Sequence, residues 1–260
     1  MLCGFDDDLA KQATAASNRI RGLLTQIHPA LERVIDPHLD HPAMAALLLK
    51  YPTPAALRKA GQARVATHLR KLAPRAGNRW AAEAFTALSE QTVVVSGTGA
   101  AAIVLPQLAA QLAQLRASRT EVLTRVEELV EAHPLHPVLS SMPAVGVRTQ
   151  ARILTEVIGK DFATAGHLGS YAGLAPVTWR SGTSIRGDHS SKKGNKVLKR
   201  AFFLSAFAAL KDPTSRAYYD RKRAEGKRHN QALIALARRR CDVLFAMLRD
   251  GTLYQAPETA

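Results

Sequence analysis

The stretch that decides the fold consists of three neighbouring segments in the second half of the chain. Residues 141–159 read SMPAVGVRTQARILTEVIG, residues 171–187 read YAGLAPVTWRSGTSIRG, and residues 189–202 read HSSKKGNKVLKRAF. The outer two have the apolar spacing of helices, whereas the middle one is rich in glycine, serine and arginine. This pattern predicts helices on both sides of a polar loop over residues 177–193.

A turn at Pro143 and Gly146 leads into the first of these predicted helices. The start of a helix presents backbone N–H groups without partners, and these groups together with the helix dipole favour a phosphate. A helix-hairpin-helix element grips a nucleic-acid backbone in this way and reads no bases. Gly146, Arg148 and Thr149 are therefore candidate nucleic-acid-binding residues. A purely structural turn is the alternative.

The predicted loop carries one well-placed serine, Ser181, between Arg180 and Gly182. Arginines such as Arg180 and Arg186 could neutralise phosphate oxygens while a serine hydroxyl attacks the phosphorus. Most loop serines, however, make turns or bind phosphate through the hydroxyl alone. On chemistry alone, Ser181 is therefore a possible nucleophile and more often a turn residue.

Basic residues continue from this loop into the next helix. They concentrate near its start, where they oppose the helix dipole and favour a nearby anion. The predicted buried face consists of Val197, Leu198, Ala201, Phe202 and Ser205. The candidate nucleic-acid-binding residues are Lys192, Lys193, Gly194, Asn195, Lys196, Lys199 and Arg200.

The charge of the chain indicates a polyanionic partner. The 260 residues carry a formal net charge of +15, and residues 141–260 contain 21 Lys and Arg against 9 Asp and Glu, a net +12. Nucleic acid is the commonest partner of such a surface, and an ordinary solvated basic surface is the alternative. A short basic amphipathic helix, ARVATHLRKLAPR at residues 63–75, either contacts a phosphate backbone or is a solvated face.

The first half of the chain predicts a helical arm. Long helices are expected over residues 6–34, where Pro29 can bend or break the helix, and over residues 101–132. Short helices are expected between them, such as the one that Thr53 caps and Gly61 ends. Asp6, Asp7 and Asp8 are expected in the first turn of the first helix. Leucines and valines from Leu105 to Leu129 follow alternating three- and four-residue steps. Such a seam predicts a coiled coil with the first long helix or with a second subunit, or else a plain core helix.

These patterns together predict a mainly α protein. A helical coiled-coil arm region over residues 1–132 precedes an all-helical domain over residues 133–260 with a helix-hairpin-helix-like element. Cys3 and Cys241 have no metal-ligand spacing, and Cys241 lies on an apolar stripe, so an inert thiol is expected there. We expect a cytoplasmic protein with no membrane span and no signal peptide.

Four segments of the second half resemble a known family. They are PAVGVRTQARILTEV, AGHLGSYAGLAPVTWRSG, SSKKGNKVLKRAFFLSAFAAL and YYDRKRAEGKRHNQALIALARRRCDVLFAMLRDGTLY. The chain is similar there to the C-terminal domain of the IS one-ten family transposases, relatives of the Piv DNA invertase. Several members of that family are bridge-RNA-guided recombinases.

The resemblance implies a DNA recombinase that cleaves and rejoins strands in transposition. The serine of the family's Ser-Gly motif falls on Ser181, and Ser184, Ser190 and Ser191 are the next candidates. The partners implied are DNA, a guide RNA in some members, and further copies of the chain in a dimer or tetramer through the coiled-coil arm. The family also pairs this domain with a RuvC-like domain whose acidic DEDD tetrad binds magnesium.

The sequence departs from the family in two places. Asp6, Asp7 and Asp8 do not match the tetrad's spacing, so no metal site and no cofactor are expected in this chain. The RuvC-like domain is expected before residue 1, and magnesium with it. Ala144 stands where the family usually has a glycine in the turn. The alternatives to a transposase are a truncated, non-catalytic DNA-binding remnant and a dimerising regulator of a full-length transposase.

Overall fold

The chain folds almost entirely into helices. The computed structural model describes residues 1–91, 95, 97–181, 184–190 and 193–256, with the backbone alone for residues 177–181 and 184–190. These residues form thirteen α-helices, two short 3-10 helices and one two-stranded β-hairpin. The predicted mainly α class is confirmed. None of the described helices is both long and apolar enough to cross a membrane.

Two compact units divide the chain, unit 1 over residues 1–123 and unit 2 over residues 124–260. The division lies inside a long helix, whereas the sequence placed a domain boundary at residue 132, where that helix ends. Unit 1 contains the first six helices and most of the seventh. They are α1 (Leu2–Ile27), α2 (Pro29–Ile35), α3 (Pro42–Lys50), α4 (Pro54–Ala60), α5 (Gln62–Arg70), α6 (Gly77–Ser89) and α7 (Thr98–Glu131).

The single helix predicted over residues 6–34 is two helices, α1 and α2. They separate at His28, because Pro29 lacks the N–H that a continuing helix needs and suits the first position of a new one. The His28 Nδ1 atom accepts a hydrogen bond from the Leu31 N–H at 3.1 Å and caps α2. The position expected for the acids was also wrong. Because α1 begins at Leu2, Asp6 lies beyond its first turn, where it is buried and pairs with Arg119 at 2.8 Å.

The predicted second long helix is α7, which begins at Thr98 and ends at Glu131. The first half of its leucine seam is core of unit 1, since Leu105 and Leu112 are fully buried in one cluster with Ile20 and Leu24 of α1. Leu129, at the end of the seam, is 50% exposed. A coiled coil with a second subunit therefore stays a prediction.

Unit 2 is built around its last helix. In chain order it contains α8 (His136–Ser141), α9 (Val147–Val157), α10 (Ala165–Tyr171), β1 (Pro176–Ser181), β2 (Ser184–Ser190), α11 (Lys196–Ala208), α12 (Pro213–Ala224) and α13 (His229–Asp250). Helices α10, α11 and α12 all pack on α13. The α13 residues Leu233, Leu236 and Leu244 are almost fully buried and form the centre of the core.

The loop predicted over residues 177–193 is instead largely a β-hairpin. Strands β1 and β2 pair antiparallel, with Pro176 opposite Ser190 and Ser181 opposite Ser184, and the register is irregular between Thr178 and Arg180. Two residues, a glycine and a threonine, connect the strands. A two-residue link that begins with glycine is a common hairpin signal, so the sequence favoured a hairpin here more than the predicted loop allowed.

Candidate nucleic-acid interface

The turn between α8 and α9 is held in place by three buried or half-buried side chains. The Gln150 side chain donates a hydrogen bond to the Val145 carbonyl at 3.0 Å, and its oxygen accepts one from His136 Nδ1 at 2.9 Å. The Arg240 guanidinium donates to the Pro143 carbonyl. The turn is therefore fixed from both sides by the fold, and it leaves Gly146 exposed at its surface.

The backbone of this turn has a conformation that favours glycine. Ala144 has φ 59°, in the left-handed region that side chains rarely adopt. The resembled family usually has glycine at this position, whereas in this chain an alanine adopts the left-handed conformation.

Gly146 ends the turn as the N-cap residue of α9, and as a glycine it has no side chain to satisfy the first N–H groups. Arg148 is exposed, and Thr149 is half-buried beside it. The structure thus brings Gly146, Arg148 and Thr149 together at one helix start. A helix-hairpin-helix element at this position stays a prediction.

Arg240 is a structural residue, although it belongs to a run of three arginines at residues 238–240 and arginine is seldom buried. It is 4% exposed and donates to Ser205 Oγ at 2.9 Å as well as to the turn. Burial lowers the pKa of Arg240 to about 10, so the guanidinium stays protonated at neutral pH. Arg238 is half-buried and pairs with Asp242 at 3.0 Å, which leaves Arg239 as the exposed member of the three.

Two glycines cross at the base of the hairpin. A Cβ on Gly173 would lie 2.5 Å from the Lys193 carbonyl oxygen, and a Cβ on Gly194 would lie 2.7 Å from the Gly173 nitrogen. Both glycines have positive φ, 65° and 90°. The chain segments that enter and leave the hairpin are thus in backbone contact, and no other residue type fits either position without a shift.

Asn195 fixes the same crossing through its side chain and its backbone. Its N–H donates to the Tyr171 carbonyl at 2.7 Å, and its side-chain oxygen caps α11 by accepting from the Leu198 N–H at 2.9 Å. Its amide nitrogen donates to Glu156 of α9 and to the Tyr171 hydroxyl. Gly194 and Asn195, which the sequence suggested as nucleic-acid-binding residues, therefore also stabilise the base of the hairpin, a role that the sequence did not indicate.

The start of α11 presents a basic surface. Lys193, Lys196 and Arg200 are exposed, and Lys199 is half-buried, with desolvation lowering its pKa. The predicted buried face holds for Leu198, Ala201, Phe202 and Ser205. It was wrong for Val197, which is 38% exposed because it lies one position outside the apolar stripe of the helix.

The candidate residues of unit 2 fall into two clusters. Helices α9 and α11 pack together. Asn195, at the start of α11, bonds to Glu156 near the end of α9. Ser205, near the end of α11, is linked through Arg240 to the turn that precedes α9. Ten residues of helix separate Gly146 from Glu156, a distance of about 15 Å. The structure therefore does not bring the turn cluster (Gly146, Arg148, Thr149) next to the α11 cluster (Lys193, Lys196, Lys199, Arg200).

The proposed nucleophile lies beyond the α11 cluster, on the hairpin. Ser181 is the last residue of β1, and Arg186 belongs to β2. The side chains of Arg180, Ser181, Ser184, Arg186 and Ser190 lie outside the described residues, as do Gly182, Ser191 and Lys192 entirely. The backbone places Ser181 at the end of the hairpin opposite its glycine base.

Neither a metal site nor a reactive thiol accompanies these clusters in the described part of the chain. There, no three His, Cys, Asp or Glu side chains lie close enough together to hold a metal ion, so the magnesium that the resembled family uses finds no fitting ligand set among them. Cys241 is fully buried in the core, and burial raises its pKa to about 12, which confirms the expected inert thiol.

Comparison with known proteins gives the family. Residues 136–220, from α8 into α12, match the family model described as Transposase IS116/IS110/IS902 family. The chain is 58% identical over 258 residues to an insertion element IS110 protein of 43.6 kDa from Streptomyces coelicolor, and 39% identical over 259 residues to an insertion element IS900 protein of 42 kDa from Mycobacterium paratuberculosis. These alignments include 98% and 96% of this chain.

A more distant relative is the pilin gene-inverting protein of Moraxella bovis, 33% identical over 117 residues, which are 44% of this chain and 36% of that protein. The chain spans 64% of the length of the IS110 protein and 65% of the IS900 protein. Its identity with them nevertheless extends through both units. The chain belongs to the IS116/IS110/IS902 family of transposases.

Proposed function

We propose that this chain acts on DNA in transposition or recombination, as the part of a transposase that binds the DNA backbone and joins strands. The observation that carries the proposal is the similarity to insertion element proteins along 98% of the chain. The family match from α8 into α12 includes the turn cluster, the hairpin and the α11 cluster. The relative that is named for pilin gene inversion also suggests a DNA rearrangement.

The turn cluster is proposed to bind one backbone phosphate. A phosphate at Gly146 would accept hydrogen bonds from the first N–H groups of α9, aligned with the positive end of its dipole. Arg148 is exposed beside them and would add a charge-assisted hydrogen bond. The fixed shape of the turn supports this role, since the donors need no rearrangement before they bind.

The α11 cluster is proposed to bind the backbone at a second point. Lys193, Lys196 and Arg200 are exposed at or near the start of α11, where basic residues oppose the helix dipole and favour a nearby anion. Arg180, Gly182, Arg186, Lys192, Gly194 and Asn195 complete the proposed nucleic-acid-binding set.

Ser181 is proposed as the nucleophile. Its hydroxyl oxygen would attack a DNA phosphorus, form a phosphoserine ester bond and break the bond to one strand oxygen. The serine proton leaves to a base, and the departing strand end takes up a proton as a free hydroxyl. Attack by another strand's hydroxyl would reverse these steps and release Ser181. Each step exchanges one phosphodiester bond for another, so it needs no external energy source.

The RuvC-like domain, its magnesium ion, the guide RNA and the oligomer belong to the same proposal. They would come from the longer protein and from further copies, since the chain spans about two thirds of its relatives. Exposed apolar residues of α7, namely Ile103, Val104 and Leu129, are the positions expected to contact a second copy.

The nucleophile is tested by Ser181→Ala in the longer protein, with Ser190→Ala, the candidate on the other strand, measured in parallel. We expect Ser181→Ala to abolish the covalent protein–DNA adduct, which is detected as a band resistant to denaturation, and to leave DNA binding unchanged. Normal strand exchange by Ser181→Ala would refute the assignment of the nucleophile. Binding without any adduct in the unaltered protein would favour the non-catalytic alternative.

DNA binding by unit 2 is tested in the chain itself. Binding to duplex DNA should weaken steeply as salt increases, because each phosphate contact releases counterions. The double variant Lys196→Ala/Arg200→Ala should lower the salt slope by about two. The control Lys227→Ala/Arg228→Ala removes two exposed cations between α12 and α13 and should change the slope little. Equal slopes in the two variants would contradict the α11 cluster as a binding site.

A further inference from the structure

Unit 1 contains a long segment with positive charge alone. Between His41 and Ala82 there is no Asp or Glu. The segment forms α3, α4, α5 and the beginning of α6. Its cations are Lys50, Arg58, Lys59, Arg64, Arg70, Lys71, Arg75 and Arg79. Residues 1–123 carry 14 Lys and Arg against 9 Asp and Glu, a net +5, so these cations are locally concentrated and are only partly balanced by acids elsewhere in the unit.

Part of this charge lines a concave surface. A groove of about 360 Å³ lies between the end of α3 and one side of α5. Its lining includes three exposed cations, Lys50, Arg64 and Lys71, together with Tyr51 and His68. We call this feature the α3–α5 groove.

The floor of the α3–α5 groove is held rigidly. The His68 Nε2 atom lies 3.1 Å from the Ala46 carbonyl, which can only accept, so this nitrogen carries the hydrogen. The His68 ring meets the Tyr51 ring edge-on at 5.7 Å, and the Lys50 ammonium lies 5.5 Å from the centre of the Tyr51 ring. These contacts join α3 to α5 and position Lys50 at the rim.

Other arginines of unit 1 have partners within the fold. Arg116 pairs with Asp40 at 2.8 Å, and Arg119 pairs with Asp6 at 2.8 Å. Arg58 lies in the basic segment, but it donates to the Leu88 carbonyl at 2.7 Å. Lys50, Arg64 and Lys71 form no ion pair among the described residues. Three unneutralised cations around one groove repel each other and attract a multivalent anion.

We infer that the α3–α5 groove binds the phosphate backbone of nucleic acid, at a site separate from the two clusters of unit 2. Arg64 of α5 and Lys71, the residue directly after the end of α5, are seven residues apart, about 10 Å along the helix axis, which corresponds to about three phosphates of one DNA strand. The lining offers charge and hydrogen-bond donors but few base-reading groups, so the binding is independent of sequence.

The test is the triple variant Lys50→Ala/Arg64→Ala/Lys71→Ala of the whole chain. The matched control, Lys11→Ala/Arg19→Ala/Arg33→Ala, removes three exposed cations from α1 and α2 of the same unit. Binding of a mixed-sequence duplex DNA and of a single-stranded RNA is measured over a range of salt concentrations. Circular dichroism checks that both variants keep their helices.

Each lost phosphate contact should weaken binding about eightfold at 0.1 M salt, because affinity varies with salt to a power of about −0.9 per contact. The loss of two contacts should therefore make the groove variant bind about sixtyfold more weakly than the control and lower its salt slope by about two. A loss with DNA alone or with RNA alone identifies which backbone the groove binds. Equal affinities of groove variant and control would overturn the inference.

The α11 variant Lys196→Ala/Arg200→Ala separates this inference from the proposed function. If it weakens binding while the groove variant does not, the α3–α5 groove is refuted and the proposal for unit 2 stands. If the groove variant alone weakens binding, the groove is supported and the α11 cluster is refuted. Absence of nucleic-acid binding by the unaltered chain overturns both.

Discussion

The base of the hairpin predicts the effect of a single methyl group. In Gly194→Ala the new Cβ would lie 2.7 Å from the Gly173 nitrogen and 2.8 Å from the Tyr171 carbonyl oxygen, and both are backbone atoms that cannot rotate away. The residue would also keep φ 90°, outside the regions open to alanine. The crossing at Gly173 and Gly194 must therefore open to admit the methyl group.

The expected cost has two parts. Left-handed backbone costs a non-glycine residue about 1–2 kcal/mol. Forcing an extra carbon into a filled space costs about 1–3 kcal/mol more. Gly226 is a matched control in the same unit, since it has φ 85° but no atom within 4 Å of the position that a Cβ would take. Gly226→Ala should therefore show the backbone cost alone.

Amide hydrogen exchange at Asn195 measures the difference in stability between the two variants at the base of the hairpin. The Asn195 N–H donates to the Tyr171 carbonyl across the crossing, so its exchange reports opening of the hairpin base. An extra cost of about 1–3 kcal/mol in Gly194→Ala corresponds to exchange about 5- to 150-fold faster than in Gly226→Ala. Exchange at Asn195 that is equal in the two variants would show that the close approach of Gly173 and Gly194 does not hold the hairpin.

Three further substitutions test the turn and the break after α1. Ala144→Gly should stabilise unit 2 by about 0.5–1 kcal/mol in urea unfolding, because relief of left-handed strain exceeds the entropy that glycine adds to the unfolded chain; destabilisation would contradict the strain. Arg240→Met should cost about 1–3 kcal/mol in the same assay, because Ser205 and the turn lose a charged donor; a neutral result would show that the turn does not depend on Arg240. Burial lowers the pKa of His28 below 6.5, so its contribution to stability is complete above that pH and is lost as the pH falls below it. In thermal unfolding measured against pH, His28→Asn should keep the cap and flatten this acid loss, and an unchanged profile would exclude His28 as its source.

The sequence predicted those features whose causes are local. Thr53 caps α4 and Gly61 ends it, as expected, because a side-chain acceptor before Pro54 and a glycine after the last turn act within a few residues. The same local pattern recurs at Asp212, which stands directly before Pro213 and caps α12 by accepting a hydrogen bond from the Ser215 N–H at 2.8 Å. These signals depend on neighbours in the chain, and no tertiary contact overrides them.

Two features were readable in the sequence but were missed. β-branched and aromatic residues such as Thr178, Trp179 and Ile185 stand on both sides of a Gly-Thr pair, a strand-turn-strand pattern that the Gly, Ser and Arg content obscured. Arg240 lies seven residues after Leu233, two full helical turns, and therefore on the buried stripe of α13. Its charge suggested an exposed position, although its place in the helical repeat predicts burial.

Other features depend on contacts that no local pattern contains. Asp6 is buried against Arg119, 113 residues away, and the triple Asp gave no sign of it. The crossing of Gly173 and Gly194 joins segments on either side of the hairpin, and each glycine alone looks like an ordinary turn residue. The side chain of Asn195 reaches two other helices as well as its own. Such roles become visible when the topology is known.

The separation of the two clusters limits what each can do to DNA. Gly146 and the start of α11 lie at opposite ends of α9, about 15 Å apart, which corresponds to four or five phosphate steps along one strand. A phosphate bound at the turn and a phosphate bound at the start of α11 are therefore different phosphates, and the hairpin that carries Ser181 begins beside the second of them. The turn and the α11 cluster would hold the backbone at two points, and two points fix the register of the duplex where one would let it rotate. The crossing of Gly173 and Gly194 fixes the base of the hairpin to the start of α11, and α11 forms the second of these points.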